Sequence, residues 1–383
     1  MSIATAITDL QGRISAAYGS VAAMGGTVPS AKNSYNLPSA IESIPTASDP
    51  TYGADGLGFL GQLSNGTLVA PDAPQTLRVN GLNSIPNTNL QYGLYRNLGI
   101  ESVDFPDLTD TANSALSYFG QYSNVTSFAA DRLAYLPQYA VRYAFRYGKI
   151  KTVSMSRLTD VAAYGGTYFC GDCPYLESIN LPVLQTIGTY GFSNAFTGSS
   201  SNTNKVLTSV AFPALTTVGA YAFQQAFLYC ARITSISFPN LTTAGDYAFR
   251  AAIPMGSSSA PADDISFPKL TEIPIGCFAY GYNSGVMHVA AKYVRNVYFP
   301  EVQSIVGATT YSQTECTLGG FQPSRGELHF HFPKCAEIIN GYLWYGSGQV
   351  TYHFAEANRA AIEATAGFPT KWGTANATIA FDL

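Results

Sequence analysis

Two closely spaced cysteines are the first candidates for chemistry in this sequence. Cys170 and Cys173 form a C-x-x-C motif, which in other contexts binds zinc or carries out redox chemistry. Cys173 lies six residues before Ile179, however, and Cys230 lies six residues before Ile236, so both cysteines occupy one position of a repeated pattern. A small apolar side chain at a repeated position is typical of a packed core. We therefore predict that these thiols are buried and that they form no metal site.

Histidines near the carboxy terminus are the second candidates. His331 and His353 each precede a phenylalanine within a stretch of alternating apolar residues, and His329 lies two residues before His331. If the two stretches are neighbouring strands, both imidazoles point outward about 5 Å apart, where they could share a metal ion. Because no third ligand can be predicted, an ordinary surface pair is the preferred interpretation.

Motifs of catalytic sites are otherwise missing from the sequence. Gly56, Gly58 and Gly61 match the G-x-G-x-x-G pattern of dinucleotide sites, but no apolar strand precedes them. The sequence has no G-x-S-x-G, no H-E-x-x-H and no phosphate-binding P-loop, and carboxylates such as Asp263 and Glu301 are scattered. We therefore predict a protein that is not an enzyme and that needs no cofactor.

The composition narrows the class of partner. Only 11% of the 383 residues are charged, whereas 26 Tyr, 22 Phe and 35 Gly are present. The net charge of −4 provides no basic surface for nucleic acid. No apolar run reaches the roughly 18 residues of a membrane span, and the amino terminus lacks the features of a secretory signal. We therefore expect reduced cysteines, and neither nucleic-acid binding nor membrane insertion.

A repeated segment must position these residues. The stretch TSISFPNLTTAGDYAF at 234–249 recurs in related form at 208–223 and at 177–192. Aligning the repeats gives apolar anchor residues that are mostly followed by proline: Val79, Phe105, Ala130, Met155, Leu181, Phe212, Phe238, Phe267, Phe299, Phe332 and Phe354. Successive anchors are 22 to 33 residues apart, which is the period of a stacked-repeat protein, or solenoid.

Every repeat has the same internal order. An apolar residue two positions before the anchor marks a short strand with one buried face, and the proline ends that strand. A leucine and a second aliphatic residue follow, and an aromatic residue such as Phe192, Phe223, Phe249 or Phe278 closes the unit. The sequence thus predicts a repeat solenoid of stacked short parallel strands with short helical or irregular arms, preceded by an amino-terminal helix.

This pattern resembles the BspA-type leucine-rich repeat, in which an L-x-x-I-x-I-P strand is followed by an I-G-x-x-A-F-x-x-C arm. The resemblance covers about residues 76–383 and implies a leucine-rich-repeat-like solenoid. The arm here is one residue shorter, and Ala130 and Met155 lack the following proline. Residues 355–383 depart from the pattern and predict an alanine-rich helix and a closing strand, which would cap the solenoid.

Residues 1–50 form a segment separate from the solenoid of residues 51–383. Apolar residues in four-three spacing predict one seam of a helix: Ile3, Ile7, Leu10, Ile14, Ala17 and Val21. Such a seam favours a homo-oligomer, for which we prefer a trimer, and the alternative is a helix packed on the first repeat. With its TVPS turn and LPSAIESIP stretch, the segment is similar to the starts of many tailed-phage virion proteins. That resemblance implies attachment to other virion proteins.

Insertions between repeats are the predicted binding regions. They lie at 197–205, 253–264, 281–293 and 307–326, and insertions at one repeat position emerge along one edge of a solenoid. The predicted ligand-binding residues lie in or beside the last two insertions: Tyr282, Tyr298, Tyr311, Phe321, His331 and His353. We expect this edge to bind a glycan or protein on a host cell surface.

The preferred function is that of a non-enzymatic phage virion protein, a tail fibre or receptor-binding appendage made in the host cytoplasm. Two alternatives stay open. One is a bacterial surface adhesin of the BspA type, and the other is a purely structural head or tail protein.

Overall fold

The structure is a computed structural model of the chain. It describes residues 14–15, 17–18, 30, 51–52, 75–88, 90–199, 203–204, 206–253, 264–283, 286–288, 291–312, 314–323, 327–344, 349–369, 372 and 377–383. Within these residues the chain winds through about ten stacked turns of short parallel strands and connecting turns, with very little helix. The solenoid that the repeats predict is therefore confirmed.

A first row of parallel strands takes one strand from each turn of the solenoid. It contains β1 (Thr51–Tyr52), β2 (Gln75–Val79), β4 (Ile100–Asp104), β6 (Ser127–Ala129), β8 (Thr152–Ser154), β10 (Ser178–Asn180), β12 (Ser209–Ala211), β14 (Ser235–Ser237), β16 (Asp264–Ser266), β21 (Asn296–Tyr298), β24 (Glu327–Phe332), β26 (Gln349–Phe354) and β27 (Ala377–Phe381). The register follows the repeats, since Val103 pairs with Phe128 and Phe128 with Val153. Because side chains alternate along a strand, these residues point into the core and their neighbours point outward.

A second row of shorter parallel strands lies one corner further along each turn. It contains β3 (Ser84–Ile85), β5 (Asp110–Thr111), β7 (Tyr135–Leu136), β9 (Asp160–Val161), β11 (Thr186–Ile187), β13 (Thr217–Val218), β15 (Thr243–Ala244), β17 (Glu272–Ile273), β22 (Ser304–Val306) and β25 (Glu337–Ile339). A threonine before many of these strands binds the preceding turn. The Thr159 N–H and hydroxyl both donate to the Ala134 carbonyl, at 2.8 and 3.0 Å, so one threonine fastens two turns together.

The third side of each turn is an arm built from overlapping four-residue turns. Gly93 N–H donates to the Leu90 carbonyl of its own arm, whereas Leu94 N–H donates to the Phe119 carbonyl of the next turn at 2.6 Å. In the arms up to residue 253, every fourth residue has a positive φ, as at Tyr139 (59°) and Tyr143 (57°). A helix would satisfy its N–H groups internally. These arms instead share alternate N–H groups with the next turn, so they are regular but not helical.

The core is the predicted one. Each of the eleven anchor residues is at most 2% exposed, and the closing aromatics Phe192, Phe223, Phe249 and Phe278 are fully buried. Six anchor rings stack in one column, with successive centroids 5.2 to 5.9 Å apart: Phe212, Phe238, Phe267, Phe299, Phe332 and Phe354. Full burial of one such ring contributes about 1.5–3 kcal/mol, so the column holds successive turns together.

The first row is interrupted in the turns that carry the 197–205 and 253–264 insertions. Among the described residues, no ladder pairing connects β10 with β12 or β14 with β16. The arms continue across both interruptions, because Phe192 N–H donates to the Ala222 carbonyl and Phe249 N–H donates to the Cys277 carbonyl. Insertions are therefore accommodated while the arms keep the turns stacked.

The 281–293 insertion contains strands of its own. Strands β18 (Gly281–Asn283) and β19 (Val286–His288) form an antiparallel hairpin, and β20 (Ala291–Val294) pairs in parallel with β23 (Phe321–Pro323). The sequence predicted a loop at this place. The insertion and β20 contain residues with high strand propensity, such as Val286 and Val294.

The 307–326 insertion is not a free loop, because it contains the arm of its own turn, and its role in binding stays a prediction. Phe278 N–H donates to the Thr317 carbonyl at 2.9 Å, and Leu318 N–H donates to the Leu343 carbonyl at 2.6 Å. Phe321 is fully buried, with its ring 5.1 Å from that of Phe278. Phe321 was a predicted ligand-binding residue, but its ring fills the closing-aromatic position of this turn.

The carboxy-terminal residues contain the predicted helix, in a shorter form, and the predicted closing strand. A 3-10 turn over Glu356–Asn358 leads into α1 (Arg359–Glu363), and β27 then adds a strand to β26. The Arg359 side chain donates to Glu356 at 2.7 Å and to Glu363 at 3.3 Å, and its guanidinium lies 4.1 Å from the centroid of the Phe381 ring. These contacts cover the last turn with charged side chains.

Little of the amino-terminal segment is among the described residues. Ile14, Ser15, Ala17 and Tyr18 are helical, and Tyr18 is 1% exposed. The seam residues Ile3, Ile7, Leu10 and Val21 and the glycine motif at 56–61 lie outside the described residues. No helix in the described part of the chain has the length and apolar character needed to cross a bilayer.

Candidate functional site on the carboxy-terminal strands

Strand pairing brings three of the predicted site residues into one row on the outward face of the first strand row. Tyr298 pairs with His331, and His331 pairs with His353. The ring centroids of Tyr298 and His331 are 4.5 Å apart, and those of His331 and His353 are 4.7 Å apart, with interplanar angles of 16° and 8°. We call these three residues the Tyr–His row. The predicted spacing of about 5 Å between outward imidazoles is confirmed.

Small residues flank the Tyr–His row at both ends. Ser266 pairs with Tyr298 on one side, and Ala380 pairs with His353 on the other. One face of the Tyr298 ring therefore meets a serine and not another ring. A ring face beside a hydroxyl group is a suitable surface for a sugar or for an apolar protein side chain.

His329 connects the row to two carboxylates. Its Nδ1 lies 2.9 Å from Nε2 of His353, and its Nε2 lies 3.4 Å from a carboxylate oxygen of Glu327. Nδ1 of His353 lies 2.9 Å from Oδ1 of Asp382. Three contacts therefore run in series, and the histidine pair links the carboxylate of Glu327 to that of Asp382.

His331 contacts an uncharged side chain. Its Nε2 donates a hydrogen bond to Oδ1 of Asn296 at 3.3 Å. Burial, together with the neighbouring His353 and His329, lowers the pKa of His331 to about 4. The central ring of the row is therefore neutral at pH 7, which suits a stacking surface better than a charged ring.

The structure does not favour a metal at this cluster. Among the residues that the structure describes, no group of three or more His, Cys, Asp or Glu side chains could hold a metal ion. The nitrogens that would bind an ion are also engaged with each other, with Asp382 and with Asn296.

A comparison with protein families gives a clear result. The model described as BspA type leucine rich repeat region matches in six copies over residues 83–197 and 196–297, which is more than half of the chain. The chain belongs to the BspA-type leucine-rich repeat family. No curated protein matches it.

The Tyr–His row lies outside the residues that match the family model. The matched residues of the BspA-type repeat end at 297, immediately before Tyr298, so the Tyr–His row lies beyond the part that the family describes. Residues 1–50 also lie outside the match, and the phage-like interpretation of that segment gains no support from it.

The remaining predicted site residues lie apart from the Tyr–His row. Tyr311 is 46% exposed and packs beside Tyr342, with centroids 5.7 Å apart. Tyr282 lies in the hairpin strand β18, and its side chain is outside the described part of the structure. Asn296 and Asp382 complete the site but were not predicted. Their contribution depends on the register of β21 and on the segment after β27, neither of which follows from residue types alone.

The cysteines of this BspA-type solenoid are packed, as predicted. Cys170 and Cys173 are fully buried and free. The Cys173 thiol donates to the Phe145 carbonyl at 3.1 Å, and the Cys230 thiol donates to the Phe196 carbonyl at 3.2 Å. Burial raises the pKa of both Cys173 and Cys230 to about 12, so the reactive thiolate is disfavoured.

Proposed function

We propose that this BspA-type protein is a non-enzymatic binding platform that attaches to a cell-surface glycan or protein through the Tyr–His row. The observation that carries the proposal is the row itself. It is a stack of three rings, flanked by small residues, on a continuous ladder of parallel strands. Rigid aromatic side chains provide contact area at a low entropic cost, and the stacked phenylalanine column beneath keeps them in place.

We further propose a phage tail fibre or receptor-binding appendage as the carrier of this platform. The support is the resemblance of residues 1–50 to the starts of phage virion proteins, which would attach the solenoid to a particle. A bacterial surface adhesin is the second candidate, and the membership of the BspA-type family favours it. Immunogold labelling separates the two, since it would mark phage particles in the first case and the bacterial envelope in the second.

Binding is tested with the full chain on an array of immobilised bacterial surface glycans and on whole cells. The test variant is Tyr298→Ser/His331→Ser/His353→Ala, which gives the row the small residues found elsewhere on the same face. The control variant is Ser209→Ala/Ser235→Ala/Ser237→Ala, on the same strand row in the preceding turns. We expect the test variant to bind the glycans or cells at least about tenfold more weakly than the unaltered chain, and the control variant to bind them equally well. Equal binding by the test variant and the unaltered chain would refute the role of the row.

A further inference from the structure

The arms of the amino-terminal turns carry columns of stacked tyrosine side chains. Column one contains Tyr139, Tyr164, Tyr190, Tyr221 and Tyr247, and column two contains Tyr92, Tyr118, Tyr143 and Tyr168. Successive ring centroids in these columns are 4.6 to 5.3 Å apart. Tyr122 and Tyr147 form a third, shorter column with a centroid distance of 4.9 Å.

All of these tyrosines occupy backbone positions with a positive φ, between 54° and 61°. A non-glycine residue in this region costs of order 1 kcal/mol or more, so the repeated choice of tyrosine needs a compensating contact. Ring stacking supplies it. The same backbone conformation turns the hydroxyl edges of the rings outward, and Tyr92, Tyr122 and Tyr147 are 45%, 42% and 41% exposed.

Guanidinium groups lie between the columns. The Arg142 guanidinium lies 4.8 Å from the centroid of Tyr143, and the Arg96 guanidinium lies 5.6 Å from that of Tyr122. The Arg146 guanidinium lies 4.4 Å from Tyr147 and forms an ion pair with Asp172 at 2.8 Å. Within the described residues, neither Arg96 nor Arg142 forms an ion pair with a carboxylate.

Charge is distributed unevenly between the arms and the strands. Among the described residues of the seven arms between residues 90 and 253, six are cationic: Arg96, Arg142, Arg146, Lys149, Arg232 and Arg250. These arms contain only two of the nine carboxylates present between residues 75 and 253, those of Asp172 and Asp246. A chain whose net charge is −4 thus presents a cationic side along its arms.

We propose that this arm surface binds an acidic polysaccharide whose chain runs along the solenoid axis. The guanidinium groups of Arg96 and Arg142 would bind its carboxylates, and the hydroxyl groups of Tyr122 and Tyr147 would bind its sugar hydroxyls. The surface repeats once per turn of the solenoid. The distance between successive turns is about the length of one sugar unit in an extended polysaccharide. This proposal is independent of the Tyr–His row, which lies on another side of the solenoid.

The ring geometry argues against a nucleic acid as the occupant. Proteins that bind single strands stack the bases on open aromatic faces. In these columns the ring faces cover one another, since Tyr190 and Tyr221 are parallel to within 1° at 4.6 Å. Only edges, hydroxyl groups and guanidinium groups are presented, and these match the groups of an acidic sugar.

The probe is polygalacturonate, with neutral dextran and double-stranded DNA as comparison polymers, and the protein is the full chain. The test variant Arg96→Gln/Arg142→Gln removes the two guanidinium groups that form no ion pair among the described residues. The control variant Arg78→Gln/Arg132→Gln removes the same charge from the strand side, where these residues pair with Asp104 and Asp107. We expect the test variant to bind polygalacturonate at least about tenfold more weakly and the control to bind within about twofold.

A second variant, Tyr122→Phe/Tyr147→Phe, keeps the stacked rings and removes two hydroxyl groups. We expect it to bind polygalacturonate several-fold more weakly, with an unchanged melting temperature. The variant altered in the Tyr–His row should bind polygalacturonate normally, which separates this surface from the proposed function. No binding of polygalacturonate, equal losses in the test and control variants, or DNA binding as tight as that of polygalacturonate would each overturn the proposal.

Discussion

The amino-terminal part of the solenoid (75–253) and the carboxy-terminal part (264–383) share one core but display aromatic residues on different sides. In the first part, the outward positions of the strand row hold small residues such as Ala129 and Ser237, and the tyrosines stand on the arms. In the second part, the outward strand positions hold Tyr298, His331 and His353. The exposed aromatic residues can therefore change sides while the core stays constant.

Column one ends at a glycine. Gly276 has a φ of +63° and follows Tyr247 in column one, and a Cβ at this position would overlap the ring of Tyr247. Near the carboxy terminus, β24 and β26 have six residues each, compared with three in β16 and β21. These two long strands carry His331 and His353, whereas the positive-φ arms carry the tyrosine columns.

The largest expected effects test whether the two parts are one cooperative core. Phe145→Ala in the first part and Phe299→Ala in the second each remove a fully packed ring, and each should lower the free energy of unfolding by about 3–5 kcal/mol. Urea unfolding followed by tyrosine fluorescence and by circular dichroism measures this. In one cooperative core, both variants shift the same transition. If each variant shifts a separate transition, the two parts unfold independently.

A smaller effect is expected where two turns touch through their backbones. A Cβ on Gly219 would lie 2.7 Å from the Thr189 nitrogen, so Gly219→Ala should destabilise the chain by roughly 1–3 kcal/mol. Ala162 occupies the same place two turns earlier, and Ala162→Gly is the control, with a cost of roughly 1 kcal/mol or less. Thermal unfolding compares the two. Equal stability of Gly219→Ala and the unaltered chain would contradict this close approach of the turns.

The tyrosine columns predict an unusual order of stability for the glycine and alanine variants at one position. At Tyr143, where φ is 57°, glycine should be tolerated better than alanine by about 0.5–1 kcal/mol, although both lose the stacked ring. At Ala129, in a regular strand of the same part, alanine should instead be better than glycine by a similar amount. Chemical unfolding of Tyr143→Gly, Tyr143→Ala and Ala129→Gly decides the matter. An alanine advantage at both sites would mean that the positive φ is not a constraint.

The smallest expected effect concerns pH and belongs to the carboxy-terminal part alone. The pKa of His331 is about 4 in the folded protein, because it is buried and lies near His353 and His329, against about 6.5 when unfolded. Between these values the unfolded state binds more protons, so the free energy of unfolding decreases as the pH falls. His331→Asn should reduce this pH dependence, and Ser237→Asn on the same strand row should leave it unchanged. An unaltered profile for His331→Asn would contradict the lowered pKa.

Periodic features were predictable from the sequence and local ones were not. The anchors, the register of Val103 with Phe128 and the buried Cys173 follow from spacing, because stacked turns require the same side chain at the same place. The arm around Phe321 was missed because it lacks the repeated motif. The positive-φ tyrosines were missed because tyrosine seldom adopts this conformation without a neighbouring turn to stack on. The Asp382 contact to His353 depends on how β27 joins the sheet.

The one-way hydrogen bonding of the arms has an electrical consequence. In the amino-terminal part, the N–H groups of Leu94, Tyr118 and Tyr143 all donate to carbonyls of the following turn. Peptide dipoles in an ordinary sheet alternate and nearly cancel, whereas these point the same way from turn to turn. The arm stack therefore has a macrodipole like that of a helix, with its negative end at the first arm and its positive end toward the carboxy-terminal turns. Adding a turn lengthens this arm dipole without reversing it. The second strand row opposes it, because N–H groups there, such as that of Thr159, donate to the preceding turn, so the two sides of the solenoid are polar in opposite directions.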